Sequence, residues 1–227
     1  MYNKLITLSA FAATAAATTS DHWAVIVVGS NGFWNYRHQA DGCHAYQLMK
    51  KNGIPEDQII LMSYDDVATA SQNPFKGQLF NKPTPKGTPG VDVYAGCNID
   101  YKGKDVTPAN VINVLEGNAK AAGGNQKVLK SNENSRVFFY FADHGAPGLV
   151  AMPAGGYLYA DKFHGALKFM NENKMYKEMV VYVEACESGS MFENILENNI
   201  NIYALSASDA HQSSWAAYCS PDDKVNG

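Results

Sequence analysis

The sequence has no run of lysine or arginine, no Cys-x-x-Cys pair and no Asn-x-Ser/Thr sequon. With a formal net charge of −4, the first absence argues against nucleic acid or an anionic membrane surface as a partner. The second removes the usual signature of structural zinc or a redox dithiol, and no other spacing calls for a metal or cofactor. The third leaves N-glycosylation with nothing to say about a secretory route. Cysteine is scarce as well: Cys43, Cys97, Cys186 and Cys219 are too few and too scattered for a disulfide scaffold, which leaves a free thiol open. What remains, 46% hydrophobic and 18% charged over 227 residues, suits one globular domain with a sizeable core.

The N-terminus is a different kind of segment. Lys4 precedes an apolar, alanine-rich run from Leu5 to Ala17, with Ala15-x-Ala17 as a cleavage site. It reads as a signal peptide over 1–17, too short to span a bilayer, with the remaining domain over 18–227. No later stretch is long and apolar enough to cross a membrane.

Beyond the leader, apolar runs alternate with helical spacing. Trp23 to Val28 reads as a buried strand ending in the turn cluster Gly29-Ser-Asn-Gly32. Residues 39–52 carry apolar positions at helical spacing, and Gly53 stands where a helix ends. Ile59 to Met62 is a second strand, so a β-α-β unit with a right-handed crossover opens the fold. Residues 65–101, rich in Pro, Gly, Asn and Asp, predict a long surface excursion. Thr107-Pro108 caps a helix expected to reach about Ala122. A strand over 137–142, a helix over 161–175, a strand over 179–184, a short helix near 190–196 and a strand over 200–205 follow. This order predicts an α/β fold around a mostly parallel sheet of about five strands.

The chemistry gathers at strand ends. Asp143-His144-Gly145 follows one apolar run and Glu184-Ala-Cys186 ends another, and in an open α/β sheet working groups collect at carboxyl ends of strands. A thiol acts as thiolate, and a nearby imidazole takes its proton and later returns one to a leaving amine. A buried strand-end cysteine and a turn histidine would carry the same residue types. The amides of Gly145 and Cys186 make a candidate oxyanion hole. Arg37 and Glu184 offer the donor and acceptor a carboxamide needs, or a plain ion pair.

Six motifs in order, Gly29-Ser-Asn-Gly-Phe-Trp-Asn-Tyr-Arg-His-Gln-Ala-Asp41, Asn52-Gly-Ile-Pro55, Tyr64-Asp-Asp66, Asp105-Val-Thr-Pro108, Tyr140-Phe-Ala-Asp-His-Gly145 and Glu184-Ala-Cys-Glu-Ser-Gly-Ser-Met191, resemble the legumain, or asparaginyl endopeptidase, family. The resemblance implies a caspase-like three-layer α/β/α fold and cleavage after asparagine, more slowly after aspartate at acidic pH. It implies Cys186 as nucleophile, His144 as base and acid, and Asn35 as the group orienting the imidazole. Gly145 and Cys186 would form the oxyanion hole, and Arg37, His38, Glu184, Ser213 and Ser214 the pocket for the asparagine side chain. Asp143 matches an aspartate that becomes a succinimide. Implied partners are peptide or protein substrates carrying asparagine and cystatin-type inhibitors. The implied location is the secretory pathway, lysosomal, vacuolar or secreted.

The related glycosylphosphatidylinositol transamidase subunit differs around the nucleophile, where this chain has Glu184-Ala185 before Cys186 and Glu187-Ser188 after it. Against the family pattern, the final edge strand, a further pocket aspartate and a C-terminal prodomain are expected to be missing beyond Gly227. Two alternatives stay open: a peptide ligase or transamidase in which an amine replaces water, and a catalytically incomplete caspase-like chain that only binds peptides.

Overall fold

Five apolar runs pair side by side into one parallel sheet. The computed structural model describes residues 21–124 and 126–218; the expected leader and Cys219 lie outside the described residues. Strand β1 (His22–Val28) is followed by helix α1 (Tyr36–Lys51) and β2 (Ile59–Met62). Then come α2 (Pro108–Leu115), β3 (Arg136–Ala142), a small hairpin sheet of β4 (Gly145–Ala146), β5 (Leu149–Ala151) and β6 (Tyr157–Tyr159), and α3 (Ala160–Glu172). Strands β7 (Glu178–Glu184) and β8 (Ile202–Ser206) complete the main sheet. Its order is β2-β1-β3-β7-β8 with every pair parallel, as the sequence predicts.

The layers follow from strand alternation. Successive β1 side chains point to opposite faces: Val25 and Val27 join Val111, Val114, Phe163 and Met170 from α2 and α3. Ala24 and Ile26 join Ala40, Cys43 and Tyr46 from α1. The step from β1 to β2 runs one way and the three later steps run the other, so right-handed crossovers place α1 alone on its face. That face is therefore uncovered toward β8, where Tyr182, Tyr203 and Leu205 are exposed. A cavity of about 750 Å³ runs along it at the amino ends of the strands, lined by Trp23, Phe138, Tyr182 and Tyr203, away from the strand ends that lead to His144 and Cys186.

Several local readings change. Helix α1 starts earlier than expected, at Tyr36, and ends as expected, with Gly53 at φ +92°. Thr107 caps α2 by accepting from the Asn110 amide at 3.1 Å. The helix stops at Leu115, short of Ala122, because Gly117 turns left-handed at φ +68° and packs where a Cβ would lie 2.9 Å from the Leu129 carbonyl. The expected helix near 190–196 is a single 3-10 turn, Ser188–Met191. The small antiparallel sheet was not expected, since strands of two and three residues carry no readable period.

The excursion after β2 is more than a surface loop. Val67, Ala68, Leu79 and Val93 are buried against α1, and Cys43 on the helix forms a disulfide with Cys97. The loop is tied at further points. Asn73 donates to the carbonyls of Ala68 and Gln78 at 3.0 Å each, Asn81 donates to Asp41, and Gln47 donates to Ala95 at 2.8 Å.

Candidate active site

The parallel register brings the carboxyl ends of β1, β3 and β7 level, with Val28 opposite Ala142 and Ala142 opposite Glu184. Each reactive residue lies just past such an end. His144 follows β3 by two residues, and Cys186 follows β7 by two. Glycines make the approach possible. A Cβ on Gly145 would lie 2.3 Å from the Cys186 carbonyl oxygen, and one on Gly29 would lie 2.4 Å from the Ala151 carbonyl oxygen and 2.7 Å from Asp143 Cβ. Neither position has room for a side chain.

The turn after Cys186 is rigidly held. Glu187 adopts a left-handed conformation at φ +49°, and its amide donates to the Gln212 carbonyl at 2.8 Å. Ser190 Oγ donates to the Glu187 carbonyl at 2.6 Å and accepts from the Gly148 amide at 2.8 Å. The hydroxyl thus joins the histidine-bearing hairpin to the turn after Cys186, a role for which the sequence gives no signal. The Cys186 Sγ itself lies 3.7 Å from the Ser214 carbonyl oxygen.

The loop from β1 into α1 supplies the third group. Asp66 fixes that loop, accepting from the Gly32 amide at 2.9 Å and from Gln39 Nε2 at 2.7 Å. Asn35 Nδ2 donates to the Asn31 carbonyl at 2.9 Å, which turns Oδ1 toward His144 Nε2, 2.8 Å away. A carboxamide oxygen only accepts, so Nε2 is the protonated nitrogen and Nδ1 is left with its lone pair.

Burial holds the His144 imidazole below the ordinary histidine value; Asp143 opposes this shift, while His38 and Arg37 reinforce it. Asp143 is itself buried, its Oδ1 without a hydrogen-bond partner and 2.9 Å from His38 Nδ1. That nitrogen also lies 2.8 Å from Ser30 Oγ, the partner with which it makes its hydrogen bond. Ligand-type atoms of His38, Asp143 and His144 all lie within 4.8 Å of one another, close enough for the first two to act on the His144 imidazole.

One cavity of about 340 Å³ gathers most of the predicted residues, though not Asn35 or Gly145: Arg37, His38, Asp143, His144, Glu184, Cys186 and Ser214 all line it. Ser213 does not; its hydroxyl donates to Glu187 Oε1 at 3.4 Å beside the cavity. No ion pair joins Arg37 to Glu184 among the described residues, so the two heads face the cavity separately.

Sequence reasoning missed Asp41, Asn81, Tyr140 and Trp215 in the lining. Burial raises the Asp41 carboxyl above the ordinary aspartate range, against the Asn81 hydrogen bond that lowers it. Asp41 lies four residues after Arg37 on α1, a helical spacing that offers a signal; Asn81 arrives through the loop and offers none.

Fold and site together define an α/β protein of caspase-like architecture, with a thiol and an imidazole at the carboxyl ends of adjacent strands in a parallel sheet. The chain belongs to the Peptidase C13 family, whose model matches residues 22–226. It is 52% identical over 198 residues to the vacuolar-processing enzyme delta-isozyme of Arabidopsis thaliana, covering 87% of this chain and 41% of that protein. It is 50% identical over 199 residues to legumain of Mus musculus, covering 87% and 44%. To legumain of Canavalia ensiformis it is 48% identical over 198 residues, covering 87% and 41%. The chain thus spans about two fifths of the length of these relatives. No helix among the described residues is long and apolar enough to cross a membrane.

Proposed function

We propose that this chain carries the catalytic centre of a cysteine endopeptidase that cleaves peptide bonds after asparagine. The observation that carries the reading is the single cavity holding Cys186 and His144 together with Arg37, Glu184 and Ser214. The relatives named legumain and vacuolar-processing enzyme support it.

In this reading His144 Nδ1 takes the thiol proton and Cys186 Sγ attacks the carbonyl carbon of the substrate asparagine. The developing oxyanion faces the amides of Gly145 and Cys186. The imidazolium then gives its proton to the departing amine, leaving a thioester on Cys186. Water, deprotonated by Nδ1, attacks the thioester, releases the acid and restores the thiol. An amine in place of that water would make the same site a ligase. Arg37 donates to the carboxamide oxygen of the substrate asparagine, and Glu184 accepts from its nitrogen.

The buried Asp143 carboxyl, with its unpartnered Oδ1, supports the succinimide that the family resemblance implies; loss of one water in the intact mass would register it. The Cys43–Cys97 disulfide supports a secretory route, since such bonds persist in oxidising compartments. The relatives' names support a vacuolar or lysosomal end to that route.

The deciding experiment compares fluorogenic peptides ending in Ala-Ala-Asn and Ala-Ala-Gln on this chain. The expected result is turnover of the first only, abolished by Cys186→Ala with the melt unchanged. In Arg37→Ala, turnover should fall far more than reaction of Cys186 with a small alkylating agent. Equal turnover of both peptides, or cleavage that survives Cys186→Ala, would overturn the reading.

A further inference from the structure

A second cavity, of about 590 Å³, opens beside the first and shares Arg37, Asn81, Ala217 and Tyr218 with it. Its character is different. Where the first is lined by charged and titratable groups, this one is walled by Phe33, Tyr36, Phe75, Phe80 and Pro83, with Lys82 at its edge. None of these residues has a part in the chemistry described above.

The walls are built rather than incidental. The Tyr36 hydroxyl accepts from the Phe80 amide at 2.7 Å, and burial raises its pKa above the ordinary tyrosine value. Gly90 backs Phe80 so closely that a Cβ there would lie 2.7 Å from the ring. Phe75 meets Phe80 edge to face at 5.3 Å, and Phe33 meets Tyr36 likewise at 5.7 Å. The Phe75 amide donates to Asn73 Oδ1 at 3.0 Å, and the Asn73 amide group is anchored in turn to the loop carbonyls. Phe75 nevertheless stays 56% exposed at the rim. This rim and the aromatic walls together form a concave, mostly apolar surface of the kind that takes a ligand side chain.

We infer that this cavity is a specificity subsite that takes an aromatic or long aliphatic side chain of the peptide, near the asparagine in sequence. Continuity with the first cavity sets the occupant. An extended peptide advances about 3.3 Å per residue, so a chain whose asparagine sits against Arg37 reaches the shared wall within a few residues. The loop from β2 to α2 thereby selects sequence context, while the strand ends select the residue at the cleaved bond. The inference rests on the endopeptidase reading for the identity of the ligand.

The test uses the full chain carrying Cys186→Ser and labelled pentapeptides with asparagine fixed, in which each flanking position is either phenylalanine or serine. Fluorescence anisotropy should show, at one position, phenylalanine binding about tenfold tighter than serine, the gain expected for burying one such side chain. Phe75→Glu, at an exposed position, should erase that preference and leave the serine peptides unchanged. Equal affinities at every position, a preference that survives Phe75→Glu, or no binding by any peptide would each overturn the subsite. Cleavage by the unmodified chain separates the two readings. Asn-directed turnover without a phenylalanine preference sinks the subsite alone; phenylalanine-dependent binding without turnover sinks the endopeptidase alone.

Discussion

The hydrogen at the Gly145 α-carbon points at the Cys186 carbonyl oxygen, where a methyl group would lie 2.3 Å away and also 3.0 Å from Ala185 Cβ. The two strand ends that carry the chemistry therefore touch through backbone. Gly145→Ala must push them apart, and a displacement of about 1 Å in a catalytic group lowers rate by about 100-fold. We expect at least that loss in kcat/KM on an asparaginyl peptide, together with a lower Tm. Wild-type turnover by this variant would mean that contact between the strand ends is not needed.

Asn35 holds the imidazole through Nε2. Asn35→Ala should lower kcat by about 10- to 1,000-fold with KM little changed, because a ring free to take the other tautomer aims a proton, not a lone pair, at the thiol. Asn35→Asp keeps the acceptor and adds a negative charge, so it should restore part of the rate and move the acid limb of activity to higher pH. A loss equal in the two variants would assign Asn35 to the loop fold instead.

The depressed His144 value has a definite sign. Burial favours the neutral ring, so the imidazole keeps its lone pair at pH values where a free histidine is protonated. The acid limb of kcat/KM should lie below the ordinary histidine value of about 6.5. In protein whose intact mass shows Asp143 unmodified, Asp143→Asn removes the charge that raises His144 and should move the limb lower still. The same depression means that His144's contribution to stability is present above the ordinary value and lost as pH falls through the folded one. A pH–rate profile of the two proteins decides the point, and an unmoved or raised limb in Asp143→Asn would refute the coupling.

The Cys43–Cys97 bond closes a segment with a sequence separation of 54. The chain-entropy account assigns such a loop about 4 kcal/mol. Replacing both cysteines by serine should lower unfolding stability by that order in a denaturant titration. It should also weaken any preference for phenylalanine peptides more than it weakens turnover of an alanine one.

Much of the fold was legible because a fully buried parallel strand is nearly all apolar. Ile59 to Met62 and Trp23 to Val28 read directly as such strands, and each ended where a turn cluster began. The site was legible for the same reason: His144 and Cys186 stand just past strand ends, and register alone brings those ends together. The disulfide was not, since Cys43 and Cys97 sit 54 residues apart with no spacing rule to join them. Nor was the ordered loop, whose shape is set by side chains bonding to backbone rather than by any period: Asn73 holds the carbonyls of Ala68 and Gln78, and Asp92 accepts from the amides of Leu79 and Tyr94. Ser190, which braces the turn after Cys186 through backbone groups, belongs to that same kind of structure, and Asn81 reaches the pocket through the side chains of Asp41 and His44.

The sulfur atoms of this chain ask opposite things of their surroundings. Cys186 is useful only as a thiol, whereas the braced loop is held by a bond that thiols cleave. Cys43 is 2% exposed, but its partner Cys97 and the free Cys186 are both partly exposed, so a reductant meets the disulfide as well as the free thiol. A reductant too weak to cleave the disulfide leaves the loop braced, and a stronger one leaves Cys186 beside a slackened wall. Peptide preferences measured on this chain will depend on which reducing agent shares the tube with it.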